Sequence, residues 1–567
     1  MTTVVRVVPD VPTFAVDDGF LYVVGDGTPV RVGSVVRVPL SGRTVRGTVV
    51  DVGSGDPAGL KAVSSVSPAL PLLDEPHLAL HRWLAHHYVG PLAASLRSAA
   101  PPNLPRSAAA IPEPVRGRGG RVHLVTDDGP GAAEAALDDL DDGRSALVVC
   151  PTVGEAETVA ERLAGRHSVV LATGDTTGAE ETRAWVTART RAGTVVVGTP
   201  RVAAWPVAAL DTAVCVDDAR RGHKSRQSPT VHTRTLLSQR TRFEGIRLVT
   251  SGLVPAPESV AAGARVVPPA TGRSWGRIEV VDRTEDPPGT GVVGRAASVA
   301  IAAAAKAGDR VVVFSHRRGY APAFRCTGCR TLRTCPECGS RATLTTACAR
   351  CASPLGRCPE CGGATFEPLG AAAGVLADRL AGLVDRRLVG LGPGHPVSVV
   401  TERDLPGLGS VDLAVAVDAD ALVLGPSYRS AEDALRVLAR LAARVGHRSG
   451  NRLMVQTAVP SHPVFDALRH GSPETWLAEE LARREALGYP PSGELIVVET
   501  RGGDADPFAE ASWPGVAVLG PLDRGDGRRW LVQGPDLNRF RRDLRPIVRR
   551  IRDGGGEVRV DVDPIDL

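Results

Sequence analysis

Residues 121–150 read RVHLVTDDGPGAAEAALDDLDDGRSALVVC. An apolar run of strand length, RVHLVT, leads through a loop into an alanine-rich helical stretch and a second apolar run, SALVVC. The alternation continues through EAETVAERLAG, SVVLATG, EETRAWVTART, GTVVVGT, DTAVCVDD and RLVTSG. Strands alternating with helical segments of this length predict a parallel sheet with helices on both faces. A second series starts near residue 275 and includes RVVVFSH, PVSVVTER and VDLAVAVDADALVL. A cysteine-rich stretch interrupts it.

Outward from these lobes the pattern changes. Before them, GFLYVVG, SVVRVPL and TVRGTVVDV are short strand-like runs separated by Gly and Asp turns, which predicts a small barrel. Residues 74–98 have helical periodicity through Leu78, Leu80, Trp83, Leu84 and Tyr88. After the lobes, ELIVVETRG, VAVLGP, RRWLVQGP and EVRVDVDP surround one helix at 536–552. The fold expected is therefore multidomain α/β. Two tandem lobes with an insertion in the second are an architecture of helicase motors.

Composition narrows the function. The chain has 567 residues, 43% hydrophobic and 23% charged, which is ordinary for globular protein. It has no apolar run long enough for a membrane span. The start, MTTVVRVVPDVPTF, lacks signal-peptide order, so the cytoplasm is the expected compartment. A net charge of +4 is too small to prove a polyanion partner, so nucleic-acid contacts would have to come from local patches. Lys61, Lys224 and Lys306 are the three lysines among 67 basic residues. The rest are arginine, which together with abundant Ala, Val and Gly suits a GC-rich genome.

Eight of the ten cysteines fall between Cys326 and Cys361 as four C-x-x-C pairs. Two such pairs supply one tetrahedral zinc, so two zinc ions per chain are expected. The C-x-x-C-x-x-C run of bacterial ferredoxins is missing. Cys150 and Cys215 sit in apolar runs and read as core.

Several strings, in order along the whole chain, resemble the PriA family of primosomal replication-restart proteins (primosomal protein N′). They are FLYVV (20–24) with VGSVVRVPL (32–40), SHRRGYAPAFRCTGCRTLRTCPECGS (315–340), SYRSAEDA (427–434), ALGYPPSG (486–493) and RVDVDP (559–564). The resemblance implies a β-barrel 3′-end DNA-binding domain at 1–68, a winged-helix-like module at 69–112 and a linker at 113–120. It implies RecA-like helicase lobe 1 at 121–268 and lobe 2 at 269–324 and 363–488, with the zinc insertion at 325–362 and an α+β C-terminal domain at 489–567. Nested cysteine pairs follow the family's arrangement and the nine-residue gap between the inner pairs. Cys326, Cys329, Cys358 and Cys361 would hold one zinc, and Cys335, Cys338, Cys348 and Cys351 the other.

The motor motifs depart from the family. Aligned on Glu134, the degenerate nucleotide loop, which includes Gly129, keeps Gly131 but has Ala132 for the lysine and Ala133 for the threonine. A P-loop needs that lysine for the β/γ-phosphates and that hydroxyl for Mg²⁺. None of the three lysines lies in an alternative G-K-[ST] string. The D-E-E-H motif becomes Asp217, Asp218, Ala219 and Arg220. SGLVP (251–255) replaces G-S-A-T-P, and RLAARVGHR (440–448) replaces the arginine-finger segment, keeping Arg444. No ATP cofactor and no ATP hydrolysis are expected.

Phe20 and Tyr22 alternate on one strand near Gly33 and Arg46, a pattern suited to stacking on unpaired bases and close backbone approach, with barrel core as the other reading for one of the two aromatics. Leu21 stands where the family commonly has Asp. In the C-terminal helix Leu537, Phe540, Leu544, Ile547 and Ile551 mark an inward face. The outward face is read as Arg541, Arg542, Arg545, Arg549 and Arg552, either a solvated face or, as the resemblance favours, one with Arg541, Arg545 and Arg549 as phosphate contacts. The function expected is recognition of stalled or abandoned forks, primosome assembly and replicative-helicase loading without unwinding. Partners are forked and single-stranded DNA, primosome components, the replicative helicase or its loader, and single-stranded DNA-binding protein. No membrane is involved, and the place is the nucleoid. Two other readings are a residual ATP-dependent 3′→5′ helicase and a redox-sensing zinc protein.

Overall fold

The computed structural model describes all residues except 1, 68–69, 106–109, 114, 271, 288–289, 317–322, 341, 343–345, 349–352, 370–372, 426, 503–506, 525–526 and 566–567. It divides into two compact units: Met1–Val267 with Glu479–Leu567, and Pro268–Ala478.

In the first unit, the N-terminal strands form a six-stranded sheet in the order Lys61–Ala62, Phe20–Val23, Thr2–Pro9, Arg43–Gly55, Val35–Leu40, Ser65–Val66. The two edge strands are neighbours in sequence. Val63 N–H donates to Val23 O at 2.8 Å on one edge, and Ser64 N–H to Arg37 O at 2.8 Å on the other. One short segment therefore joins both edges and closes the sheet into a barrel, which removes its exposed edges. Val5, Val7, Tyr22, Val24, Val36, Val38 and Val49 fill it. Helices Glu75–His87 and Leu92–Ser98 follow. Asp74 starts the first of them by accepting from His77 N–H at 3.2 Å, a side-chain N-cap.

The sheet expected from residue 121 is present. Its seven strands run in the order Arg265–Val267, Arg121–Leu124, Arg247–Ser251, Leu210–Cys215, Ser145–Val149, Thr194–Gly198, Ser168–Ala172, all parallel. The central strands are buried on both faces, which is why they read as continuous apolar runs. Helix Gly178–Thr190 begins with a reciprocal Thr177–Glu180 capping box. The C-terminal residues add an antiparallel sheet ordered Ala517–Arg524, Gly527–Gly534, Glu494–Arg501, Glu557–Val562, with helix Asn538–Asp553 packed on it. One apolar core runs through all these parts, from Val8 and Val50 through Leu80 and Tyr88 to Trp185, Trp205, Trp530 and Phe540.

The second unit holds a parallel six-stranded sheet: Ile278–Asp282, Arg452–Thr457, Leu413–Ala416, Val311–Phe314, Val397–Val400, Val389–Leu391. The cysteine-rich insertion leaves it through an antiparallel ribbon, Ala323–Cys326 with Phe366–Leu369. Among the described residues no helix is long and apolar enough to cross a membrane.

Candidate metal centre, nucleotide loop and nucleic-acid interface

The insertion is built from one repeated turn. The first cysteine of each pair donates its N–H to the carbonyl five residues on: Cys326 to Thr331 at 2.9 Å, Cys335 to Ser340, Cys348 to Ser353 and Cys358 to Gly363, each at 2.8 Å. In three of the turns the fourth residue after that cysteine returns its N–H to the cysteine carbonyl at 2.9 Å. These are Arg330, Gly339 and Gly362. They have φ of 63°, 67° and 70°, the left-handed conformation that glycine adopts at no steric cost. The turns aim sulfurs inward in two groups. Sγ atoms of Cys326, Cys329, Cys358 and Cys361 lie within 4.8 Å of one another, and so do those of Cys335, Cys338 and Cys348. Cys351 lies outside the described residues.

The first group fits zinc. Cys326–Cys361 and Cys329–Cys358 Sγ separations are 3.4 and 3.5 Å, against roughly 3.8 Å between sulfurs at ~2.3 Å from a tetrahedral zinc. N–H groups of Cys329 and Gly328 hold the Cys326 thiol below its ordinary value. Bonds from Thr331 bring Cys329 to about 6. Cys361 is pushed up to about 12 despite the Gly363 N–H, because neighbouring Cys326 and Cys329 oppose a further negative charge. Four thiolates this close need a cation, and zinc binding would release the remaining protons. In the second group Cys338–Cys348 is 3.7 Å. The two groups can therefore hold two zinc ions.

Insertion arginines also act structurally. Arg330 donates to Arg283 O at 3.1 Å and Thr284 O at 3.0 Å. The Arg333 guanidinium lies 4.4 Å from the Phe366 ring centroid.

The nucleotide loop precedes helix Gly129–Leu137. A helix N-terminus offers N–H groups to phosphate, but here Asp128 takes the position. Its Oδ1 accepts from Gly131 N–H at 2.9 Å. Gly129 lies against Val216, where a Cβ would come within 2.7 Å of Cγ1. Ala132 and Ala133 are buried, and their methyl side chains offer neither a cation nor a hydroxyl.

Asp217, at φ 51°, donates its N–H to Ser251 Oγ at 3.2 Å. Arg220 Nη1 bridges Glu155 Oε1 at 3.2 Å and Asp217 Oδ2 at 3.3 Å. Asp218 is turned inward, where Ser259 Oγ donates to its Oδ2 at 2.5 Å. These residues do not fit Mg²⁺–nucleotide. The metal's carboxylates are taken by an arginine and a serine, and the phosphate's donor by an aspartate.

The expected DNA residues separate. Phe20 is 40% exposed and Leu21 is 43%, but Tyr22 is 3%. Tyr22 sits mid-strand opposite Val5, and its hydroxyl donates to Pro39 O at 3.2 Å. Its role as a stacking platform is corrected to barrel core. Gly33 is corrected too. At φ 84°, a Cβ there would come within 2.0 Å of Leu73 O, so the glycine permits packing of the following segment and not of a nucleotide. Arg46 is exposed, directly across from exposed Arg37.

On the C-terminal helix the outward reading of Arg541 is wrong. Its side chain is 0% exposed. It makes a bidentate pair with Glu494 at 2.9 and 3.0 Å and donates to His87 O at 2.9 Å. Arg545 pairs with Asp17 at 2.5 Å and lies over the Phe14 ring, so it staples the helix to the barrel. Arg549 is exposed and pairs with Asp553 at 3.4 Å. Arg539, Arg542 and Arg550 share its exposed side.

Lys224 was not legible as a linchpin. It is buried, donates to Val562 O and to Asp563 O at 3.1 Å, and pairs with Asp561 at 3.1 Å. The ammonium's three rotatable donors match these three acceptors. A second ion network joins helix Glu75–His87 to lobe 1. His77 meets Asp74 at 2.7 Å and Glu244 at 3.5 Å, Arg240 meets Glu244 at 2.6 Å, and Arg189 meets Asp74 at 3.3 Å.

Comparison with known proteins follows the same lines. Residues 6–101 match the family model of the PriA 3′ DNA-binding domain, a span that takes in the barrel and both following helices. The replication restart protein PriA of Treponema pallidum is 26% identical over 546 residues, covering 82% of each chain. The probable replication restart protein PriA of Mycobacterium leprae is 28% identical over 436 residues, covering 70% of this chain and 67% of that protein. The Synechocystis replication restart protein PriA is 24% identical, covering 67% of this chain and 52% of its own length. Among solved structures, RecG bound to a three-way DNA junction overlaps 73% of this chain and 50% of its own, at 14% identity and a TM-score of 0.33. S. cerevisiae Dbp5 bound to RNA and ADP BeF3 overlaps 64% of this chain and 83% of its own, at 12% identity and a TM-score of 0.34. Along most of its length the chain is thus similar to the replication restart proteins PriA, and its first hundred residues are similar to the PriA 3′ DNA-binding domain.

Proposed function

We propose that this chain recognises forked DNA with an available 3′ end and serves as a platform for primosome assembly and replicative-helicase loading, without hydrolysing ATP. The observation that carries the reading is the nucleotide loop, where Asp128 caps the helix, Ala132 and Ala133 are interior, and Arg220 bridges Glu155 and Asp217. Phosphoryl transfer depends on positioning and charge neutralisation, and a loop that presents a carboxylate to the phosphates supplies neither. Lobe 1 then serves as a scaffold, tied by buried ion pairs to the helices of 69–112 and to the C-terminal domain.

DNA would be held by phosphate contacts from Arg37 and Arg46 on the barrel and from Arg539, Arg542, Arg549 and Arg550 on the C-terminal helix. Phe20, on the barrel surface, would stack on an unpaired base. Each zinc would fix its pair of turns, and no step of DNA binding runs through the metal. Such a protein works in the cytoplasm at the nucleoid, with the replicative helicase or its loader and single-stranded DNA-binding protein as partners. The test is binding to a fork with a 3′ end, the same fork with that end blocked, and blunt duplex at one salt concentration. Preference for the open fork supports the reading. Equal affinity for fork and blunt duplex overturns it.

A further inference from the structure

The absence of catalysis proposed above does not require the site to be filled, yet lobe 1 fills it with its own charges. Glu155 lies in the first turn of helix Val153–Leu163, and Asp217 follows strand Leu210–Cys215. Both sit at the carboxyl edge of the parallel sheet, the usual side for ligands. One nitrogen, Arg220 Nη1, reaches both carboxylates at 3.2 and 3.3 Å, with the arginine side chain only 14% exposed. The other oxygen of Glu155 is fixed as well, since Thr152 Oγ1 donates to Oε2 at 2.5 Å. Asp128 meanwhile places an anion on the helix N-terminus. The cation and the anion at this edge of the sheet both belong to the chain.

We infer that Arg220 is a built-in cation that holds Glu155 and Asp217 together in place of a divalent metal. Lobe 1 is thus fixed in one state and answers to neither divalent cations nor nucleotide. This rests on the reading of lobe 1 as catalytically inert and goes further, because an inert site could still bind metal. Removing the guanidinium leaves two partly buried carboxylates facing each other, an oxygen donor set suited to a hard divalent ion that keeps some of its waters.

The probe is Mn²⁺, titrated by electron paramagnetic resonance and thermal unfolding into the zinc-loaded full chain. The expected result is no Mn²⁺ response in the unaltered protein. Arg220→Ala should melt lower, bind Mn²⁺ at least tenfold more tightly and recover its lost melting temperature on binding. The double variant Arg220→Ala, Glu155→Gln should not recover. Mn²⁺ binding by the unaltered protein that Asp217→Asn abolishes would overturn the inference, and so would a folded Arg220→Ala protein with no gain in Mn²⁺ affinity. If Arg220→Ala does not fold, Arg220→Gln is read in the same way, and the titration of the unaltered protein can still refute the proposal. ATP turnover by the unaltered protein would instead refute the functional reading, so the two failures are distinct.

Discussion

Replacing Arg541 with methionine separates a structural arginine from a DNA-binding one. The change keeps most of the aliphatic volume and removes a guanidinium that is 0% exposed, together with its bonds to Glu494 and His87 O. Breaking a buried ion pair by deleting one partner costs about 3–5 kcal/mol, because the other charge stays unpaired. Glu494 is 27% exposed, so water recovers part of that, and about 2–3 kcal/mol is expected. At roughly 2.1 cal/mol/K per residue, a cooperative unit of about 350 residues has an unfolding entropy near 0.75 kcal/mol/K, which makes the melting shift about 3–4 °C. Fork affinity and its salt dependence should stay unchanged, measured by fluorescence anisotropy between about 50 and 200 mM salt. Arg542→Ala with Arg550→Ala should do the reverse: little change in melting, weaker DNA binding and a salt slope shallower by about 2. An Arg541→Met protein with unaltered melting and clearly weakened DNA binding would refute the assignment of the helix faces.

Lys224→Met should lower stability by about 3 kcal/mol, since it leaves Asp561 and two carbonyls without their ammonium; a denaturant midpoint equal to that of the unaltered protein would refute this. Metal release by a thiol reagent should yield two zinc ions per chain, and a measured value near one would remove the second site. Despite the desolvation imposed by burial, His77 and Arg189 hold the Asp74 carboxyl well below the usual carboxylate range. The stability it contributes is therefore present above about pH 4 and lost as the pH falls through its folded value, so Asp74→Asn should flatten the acid limb of a melting-temperature profile. Burial, helped by the charge of Asp420, pushes Asp418 up to about 6. Its contribution is present below about pH 4 and lost as the pH rises through 6, so Asp418→Asn should stabilise the second unit by about 1–3 kcal/mol at pH 8 and by much less at pH 4.

Both lobes were legible because their central strands are buried on two faces and announce themselves as apolar runs. The knuckles were legible because C-x-x-C spacing is nearly a geometric statement about metal. The substitutions at 132, 133, 219 and 220 could be read directly, but the consequence of Arg220 could not. Its partner Glu155 is 65 residues away, and nothing local marks that helix start as facing Asp217. Arg541 failed for a related reason. Seven arginines on one helix read as solvated charge, and the helix faces depend on the barrel and on His87, 454 residues earlier. Tyr22 failed because residues two apart on a strand share a face without showing which of them is covered, and Gly33 failed because its cover, Leu73, lies 40 residues further on. Phe20 is exposed, while Tyr22 and Gly33 are covered by Pro39 and Leu73.

The most direct test of the central claim is ATP turnover by the zinc-loaded chain in the presence of saturating forked DNA, with fork binding recorded in the same samples. The account predicts tight, salt-dependent fork binding with hydrolysis no greater than a protein-free blank. Hydrolysis well above that blank, stimulated by the fork and abolished by Asp217→Ala, would contradict it and make the chain a motor.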